Sequence, residues 1–346
     1  MLCQSTVDSY SELIRTTLEH YRRGYAKSIT LEKSGDLFRQ KLQALIATRL
    51  PLIDQLLMRG FENARTRGLM AARRGDLMTA ERAFAEVRTP LQLGQLSLEG
   101  SLLYKSFLEQ AEAYLDYCRG DFDQARNRTS EALAIDTDLE EDYGYEILII
   151  HRIQLVHNLA RIDARCMCFE RAIELAFQIL SYLEGASEFL PIPGLWGCER
   201  VARQSPELVT MMFAQVTSEV ALILAGKKRQ LAHDLFAFAS AYMQLQANGH
   251  CHCHPRTHAW FLVKEAFVGN DVATFLERAS YFLAEGRADT PLLWYATVID
   301  LVALCDELEL PDSKLVKWEI ARDAVRWEYL PQPFFPLLGI QPKAVS

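Results

Sequence analysis

The chain has 346 residues, of which 50% are hydrophobic and 24% charged, with a formal net charge of −8. Seventeen glycines and twelve prolines exclude collagen-like and low-complexity chains, and the negative balance argues against general affinity for nucleic acid or an anionic membrane. The length suits two compact domains or one long repeat array.

Helical spacing recurs from the N-terminus onward, and strand alternation is nearly absent. Tyr10, Leu13, Thr17, His20 and Tyr21 share one helix face. Leu42, Leu45, Ile46 and Leu50 make a second stripe that stops at Pro51, with Leu52, Ile53, Leu56 and Leu57 beyond it. Tyr145–Arg161 and Phe169–Leu183 read as two neighbouring helices. Gly185–Pro206 then breaks the rhythm with three prolines, and Phe189, Leu190, Leu195 and Trp196 are expected to pack it onto the helices. Val209–Leu224, Leu231–Leu245, Trp260–Phe267, Val272–Leu283, Leu292–Leu308 and Leu315–Trp327 continue the helical series. Pro331–Pro336 ends it, and its two phenylalanines are expected to dock on the last helix pair. This order predicts an N-terminal helical region over 1–184, a connection over 185–206, a C-terminal helical region over 207–330 and a Pro-rich tail over 331–346.

Gly75-Asp76, Gly120-Asp121, Gly226 and Gly269-Asn270-Asp271 stand at the joints, each fitting a helix C-cap followed by an N-cap. Around these turns small residues pair at a fixed offset of twelve: Gly68 with Ala80, Ala113 with Ala125, Ala160 with Ala172. Two antiparallel helices approach closely only where both present small side chains at the crossing. Units over 61–90, 106–136 and 153–184, with weaker ones after Gly226 and Gly269, therefore resemble tetratricopeptide repeats. Ala113, Gly120, Asp121, Phe122, Ala125, Ala132 and Leu133 carry that pattern most fully. The likeness is divergent. The second-helix alanines 80, 125, 172 and 232 are spaced by 45, 47 and 60 residues, against about 34 in the family. Asp116 and Asp163 also stand where the pattern has an apolar residue. The resemblance implies an all-α stack of antiparallel helix pairs, an α-solenoid.

No basic start followed by an apolar stretch opens the chain, and Ile147–Ile162, the most apolar helix-like stretch in this reading, is interrupted by His151, Arg152, His157 and Arg161. The eight cysteines then read as reduced thiols and the chain as cytoplasmic, off the membrane. No phosphate-binding loop, dinucleotide fingerprint, nucleophile elbow or zinc-protease helix occurs, so a non-catalytic protein is expected. His250, Cys251, His252, Cys253, His254 and His258 form a dense run of metal-ligating side chains. Zinc or another transition metal is the ion such a run would take, and drift in a polar turn is the alternative. No other cofactor is expected.

In the repeat register, Arg65 and Arg73 of one first helix, and His157, Asn158, Arg161 and Arg165 of another, face the inner wall. Cationic and amide groups there suit an extended peptide with acidic side chains or a terminal carboxylate. The competing account pairs these arginines with Glu62, Asp163 or Glu170. The expected function is a protein-interaction module or scaffold that holds a partner's peptide segment. The alternative is a sensor whose helix stack responds to a ligand, peptide or metal.

Overall fold

The computed structural model describes residues 4–27, 29, 34–92, 94–240, 255–287, 290–328 and 330–340. Among these the protein is all-α, with no strand, and its helices pack in neighbouring pairs. The chain divides into two units: one is residues 33–212, the other joins residues 1–32 to 213–346. The expected connection at 185–206 falls inside the first of these rather than between two regions.

The central unit holds α2 (Ser34–Arg49), α3 (Leu52–Arg73), α4 (Leu77–Gln92), α5 (Leu98–Arg119), α6 (Phe122–Tyr143), α7 (Leu148–Arg165), α8 (Phe169–Leu183) and the short α9 (Cys198–Ala202). Three hairpins, α3/α4, α5/α6 and α7/α8, stack in order, with α4 against α5 and α6 against α7. The Gly-Asp turns work as their sequence suggests. Gly120 takes a left-handed φ of 82°, the Asp121 amide donates back to the Asp116 carbonyl at 3.0 Å, and the Asp121 carboxylate accepts from the Gln124 amide at 3.2 Å. Gly75-Asp76 repeats this geometry. Between α7 and α8 the same backbone is built by Met167, at φ 63°, and Cys168, whose amide reaches the Asp163 carbonyl at 2.9 Å.

The six small residues paired at the offset of twelve are all buried. A Cβ on Gly68 would lie 2.4 Å from the Phe84 ring, and Ala80, Ala125, Ala132, Ala160 and Ala172 are fully buried. Enlarging Ala125 or Ala172 to leucine is therefore expected to cost about 1–3 kcal/mol, read as a lowered melting temperature, because three further carbons added to a fully buried side chain must displace their neighbours. An unchanged melting temperature in both variants would mean that the crossings are not where the register puts them.

The two acids that depart from the repeat pattern join helices by charge. Asp116 on α5 accepts from Arg128 on α6 at 2.9 Å, and the same guanidinium reaches Glu109 at 2.7 Å. Asp163 on α7 accepts from Arg126 on α6 at 2.7 Å. Buried carboxylates are tolerated here because each meets a guanidinium across the interface. The Pro-rich connection is anchored by Trp196, which lies under the guanidinium of the fully buried Arg152 at 4.2 Å, while Arg152 and Arg200 share Glu140. Leu190 is buried with Trp196, but Phe189 and Leu195 are exposed, so two of the four expected anchors hold the segment.

The other unit holds α1 (Gln4–Tyr25), α11 (Arg229–Ser240), α12 (Pro255–Val268), α13 (Val272–Ala284), α14 (Pro291–Leu308) and α15 (Pro311–Ala324). The boundary at Met212 lies within α10 (Pro206–Leu224). Helix α1 packs chiefly on α13 and also meets α15. Thr17 and Ser280 hydroxyls lie 2.9 Å apart, Tyr21 donates to Asp323 at 3.1 Å, and Arg22 grips both oxygens of Glu319 at 2.8 and 2.7 Å. In the tail, two single-turn 3-10 helices, Gln332–Phe334 and Pro336–Leu338, bury Phe334 and Leu338, while Phe335 stays half-buried. Hydropathy corrects one expectation: α10, not Ile147–Ile162, is the single helix among the described residues long and apolar enough to cross a membrane, and 56% of it is buried.

Candidate functional site

Helices α3, α5 and α7 are the first helices of the three hairpins, and their side chains meet at two levels. At the first, the Arg65 guanidinium of α3 lies 5.4 Å from the Phe107 ring of α5, and the His151 imidazole of α7 lies 4.5 Å from the same ring. At the second, Arg73 of α3 and Arg161 of α7 both act on Tyr114 of α5. Burial and the neighbouring Cys118 push that phenol up, and the two arginines pull it down. Arg161 also stands 6.0 Å over the Tyr117 ring, and Tyr114 and Tyr117 stack at 6.1 Å.

The six residues expected on this wall therefore differ in what they present. Arg65 is held: both oxygens of Glu62, one helical turn before it, accept from its guanidinium at 2.7–2.9 Å. The competing account is right for that arginine. Arg73 and Arg165 are exposed and make no ion pair among the described residues. Asp163 does not answer Arg165, because it is taken by Arg126. His157 is buried, with its Nδ1 3.3 Å from Gln154 Nε2, and so offers no side chain to the surface. Asn158 is half-buried, and its amide oxygen accepts from the same Gln154 at 3.4 Å.

The metal-ligand run is placed only in part. His250, Cys251, His252, Cys253 and His254 lie outside the described residues, and His258 sits half-buried on α12. Among the described residues no three His, Cys, Asp or Glu side chains are grouped to hold an ion.

Two features went unread in the sequence. One is the aromatic stripe Phe107, Tyr114 and Tyr117, spaced by seven and three residues on α5, which the helical period makes legible. The other is a chain of three buried polar side chains. Ser106 donates to Asp136 at 2.5 Å, and the other Asp136 oxygen meets His151 Nδ1 at 2.6 Å. The carboxylate stands in the middle and the hydroxyl bonds to it rather than to the imidazole. This is not the nucleophile–base–acid order of an acyl-transfer site. The Asp136 contact fixes the ring, and His151 Nε2 has no hydrogen-bond partner among the described residues.

Beside the first level a groove of about 750 Å³ opens between α2, α3 and α5, with Tyr104 and Phe107 among its lining residues. Phe38 of α2 also lines it, and its ring lies 6.3 Å from His151. No family model, curated protein or solved structure matches the chain.

Proposed function

We propose that the central unit is a protein-interaction module, similar in plan to tetratricopeptide repeats, that holds an extended segment of a partner across α3, α5 and α7. The observation that carries this reading is the stacked pair Tyr114 and Tyr117 on α5, with the Arg161 guanidinium of α7 6.0 Å over the Tyr117 ring and the charge of exposed Arg73 on α3 bearing on Tyr114. Stacked aromatic rings beside guanidinium groups give an acidic peptide both a flat apolar contact and charge-assisted hydrogen bonds. Arg165, exposed at the end of α7, extends the positive strip in a chain whose net charge is −8. No catalytic role is assigned, and the partner is expected in the cytoplasm.

Arg73→Glu combined with Arg161→Glu tests it. Proteins retained by the wild-type chain at low salt should be lost or bound at least tenfold more weakly by the variant, with helical circular dichroism unchanged. Wild-type binding should itself weaken as salt rises. Retention of the same partners by the double variant would place the working surface elsewhere. A second reading, a ligand-responsive sensor, is favoured by one separate observation, the groove beneath α2.

A further inference from the structure

Helix α2 covers its neighbours without packing flush on them. Of its described residues only Leu42 is buried, while Phe38, Leu45 and Ile46 are half-buried. The space left beneath is the groove of about 750 Å³, within the range of about 300–1,000 Å³ found for small-ligand sites. Phe38, Leu42 and Ile46 line it from α2, and Met58, Tyr104 and Phe107 line it from α3 and α5. Its polar rim is unbalanced: Arg39, Arg59 and Arg65 face one carboxylate, Glu62. That carboxylate is shared between Arg65 and Arg39. Arg59 is exposed and makes no ion pair among the described residues.

We infer that this groove binds a small amphipathic carboxylate, a free acid with an apolar body of medium-chain fatty-acid size. The body lies against Phe107, Tyr104 and Met58 under α2, and the carboxylate reaches Arg59 and Arg39 at the rim. An apolar floor alone would accept any greasy molecule, and the rim arginines select the anion, because a cation of equal tail would meet like charge. Filling the groove gives Phe38 and Ile46 the contacts they lack, so the ligand tightens α2 onto α3 and α5. This deepens the sensor reading and shares no tested residue with the peptide reading, so either can fail alone.

Calorimetric titration of the full chain with decanoate, below its micellar range and at low salt, tests the inference, with decyltrimethylammonium and acetate as controls. Decanoate should bind one to one and raise the melting temperature, and neither control should bind. Arg59→Glu with Arg39→Glu should weaken decanoate at least tenfold without loss of helicity. Ile46→Trp, which fills the groove from the α2 side, should block it independently. Equal binding of decanoate and the ammonium, decanoate binding unmoved by both variants, or no decanoate binding overturns the proposal. A peptide Ala-Ala-Ala-Phe-Leu with a free carboxyl end binding more tightly than decanoate also overturns it, since the site would then belong to a protein C-terminus. Arg73→Glu with Arg161→Glu should leave decanoate binding unchanged. If decanoate fails while that pair still abolishes partner binding, only the sensor reading is lost.

Discussion

Gly24→Ala is expected to destabilise the unit built from residues 1–32 and 213–346 by about 3 kcal/mol or more, at the upper end of overpacking effects. A Cβ at Gly24 would sit 1.7 Å from the Leu283 carbonyl oxygen and 2.9 Å from its carbon, so a backbone group of α13 blocks it, not the end of a flexible side chain. That carbonyl has little freedom to withdraw, because it accepts from Trp294 Nε1 at 3.1 Å and from the Gly286 amide at 3.0 Å. The helix must move instead. It is tied to α13 on the same face by Thr17 to Ser280, and to α15 from another face by Arg22 to Glu319, so a shift large enough to clear Leu283 strains both bonds. A fall in melting temperature of about 6–12 °C is the expected reading for a unit of this size. Amide hydrogens of residues 4–25 should exchange faster than those of the central unit. A variant that melts with the wild type would show that α1 and α13 do not cross this closely.

Lys264→Met is expected to cost about 3–5 kcal/mol, because it leaves a buried carboxylate without its cation. Lys264 Nζ lies 2.8 and 2.9 Å from the two oxygens of Asp300, and both side chains are buried. Burial pushes the Asp300 carboxyl above its ordinary value, and Lys264 opposes that rise. Removing the lysine raises it further. A carboxyl whose folded pKa exceeds its unfolded one binds its proton more tightly in the folded state, so stability falls as pH rises through that interval. The single variant should therefore gain melting temperature, relative to wild type, as pH is lowered from 7 towards the unfolded carboxylate value near about 4. Lys264→Met with Asp300→Leu removes both charges and should recover most of the loss with a flat pH response. If the single variant instead loses stability in step with wild type on acidification, Asp300 is not the group left uncompensated.

The turns were the most readable part of the sequence, because Gly-Asp at 75–76 and 120–121 encodes a left-handed residue and a capping carboxylate in two letters. The same turn at Met167-Cys168 was hidden, since the surrounding packing imposes a backbone that neither residue announces. Of the two accounts open for Arg65, the pairing with Glu62 holds, because a spacing of three residues brings side chains together on any helix. The stripe Phe107, Tyr114 and Tyr117 on α5 is legible only once α3 and α7 are placed beside it, because aromatic residues at helical spacing serve a core and an exposed face alike. The placement of α2 against the first level, and of α1 against α13, had no local signal to read. Such contacts join residues 263 positions apart in the case of Thr17 and Ser280, and only tertiary packing specifies them.

The pairing of α1 with α13 has a consequence for synthesis. As the chain leaves the ribosome, α1 emerges before the rest of its unit, carrying the apolar positions Ile14, Leu18 and Tyr21 that the finished protein buries. Its partner begins at Val272, which at ordinary translation speeds follows on the order of ten to fifty seconds later. All of residues 33–212 are made in that interval and can collapse as a unit of their own while α1 waits. Helix α1 is thus made well before the helix it packs on, and its apolar stripe lacks that cover until α13 has been translated.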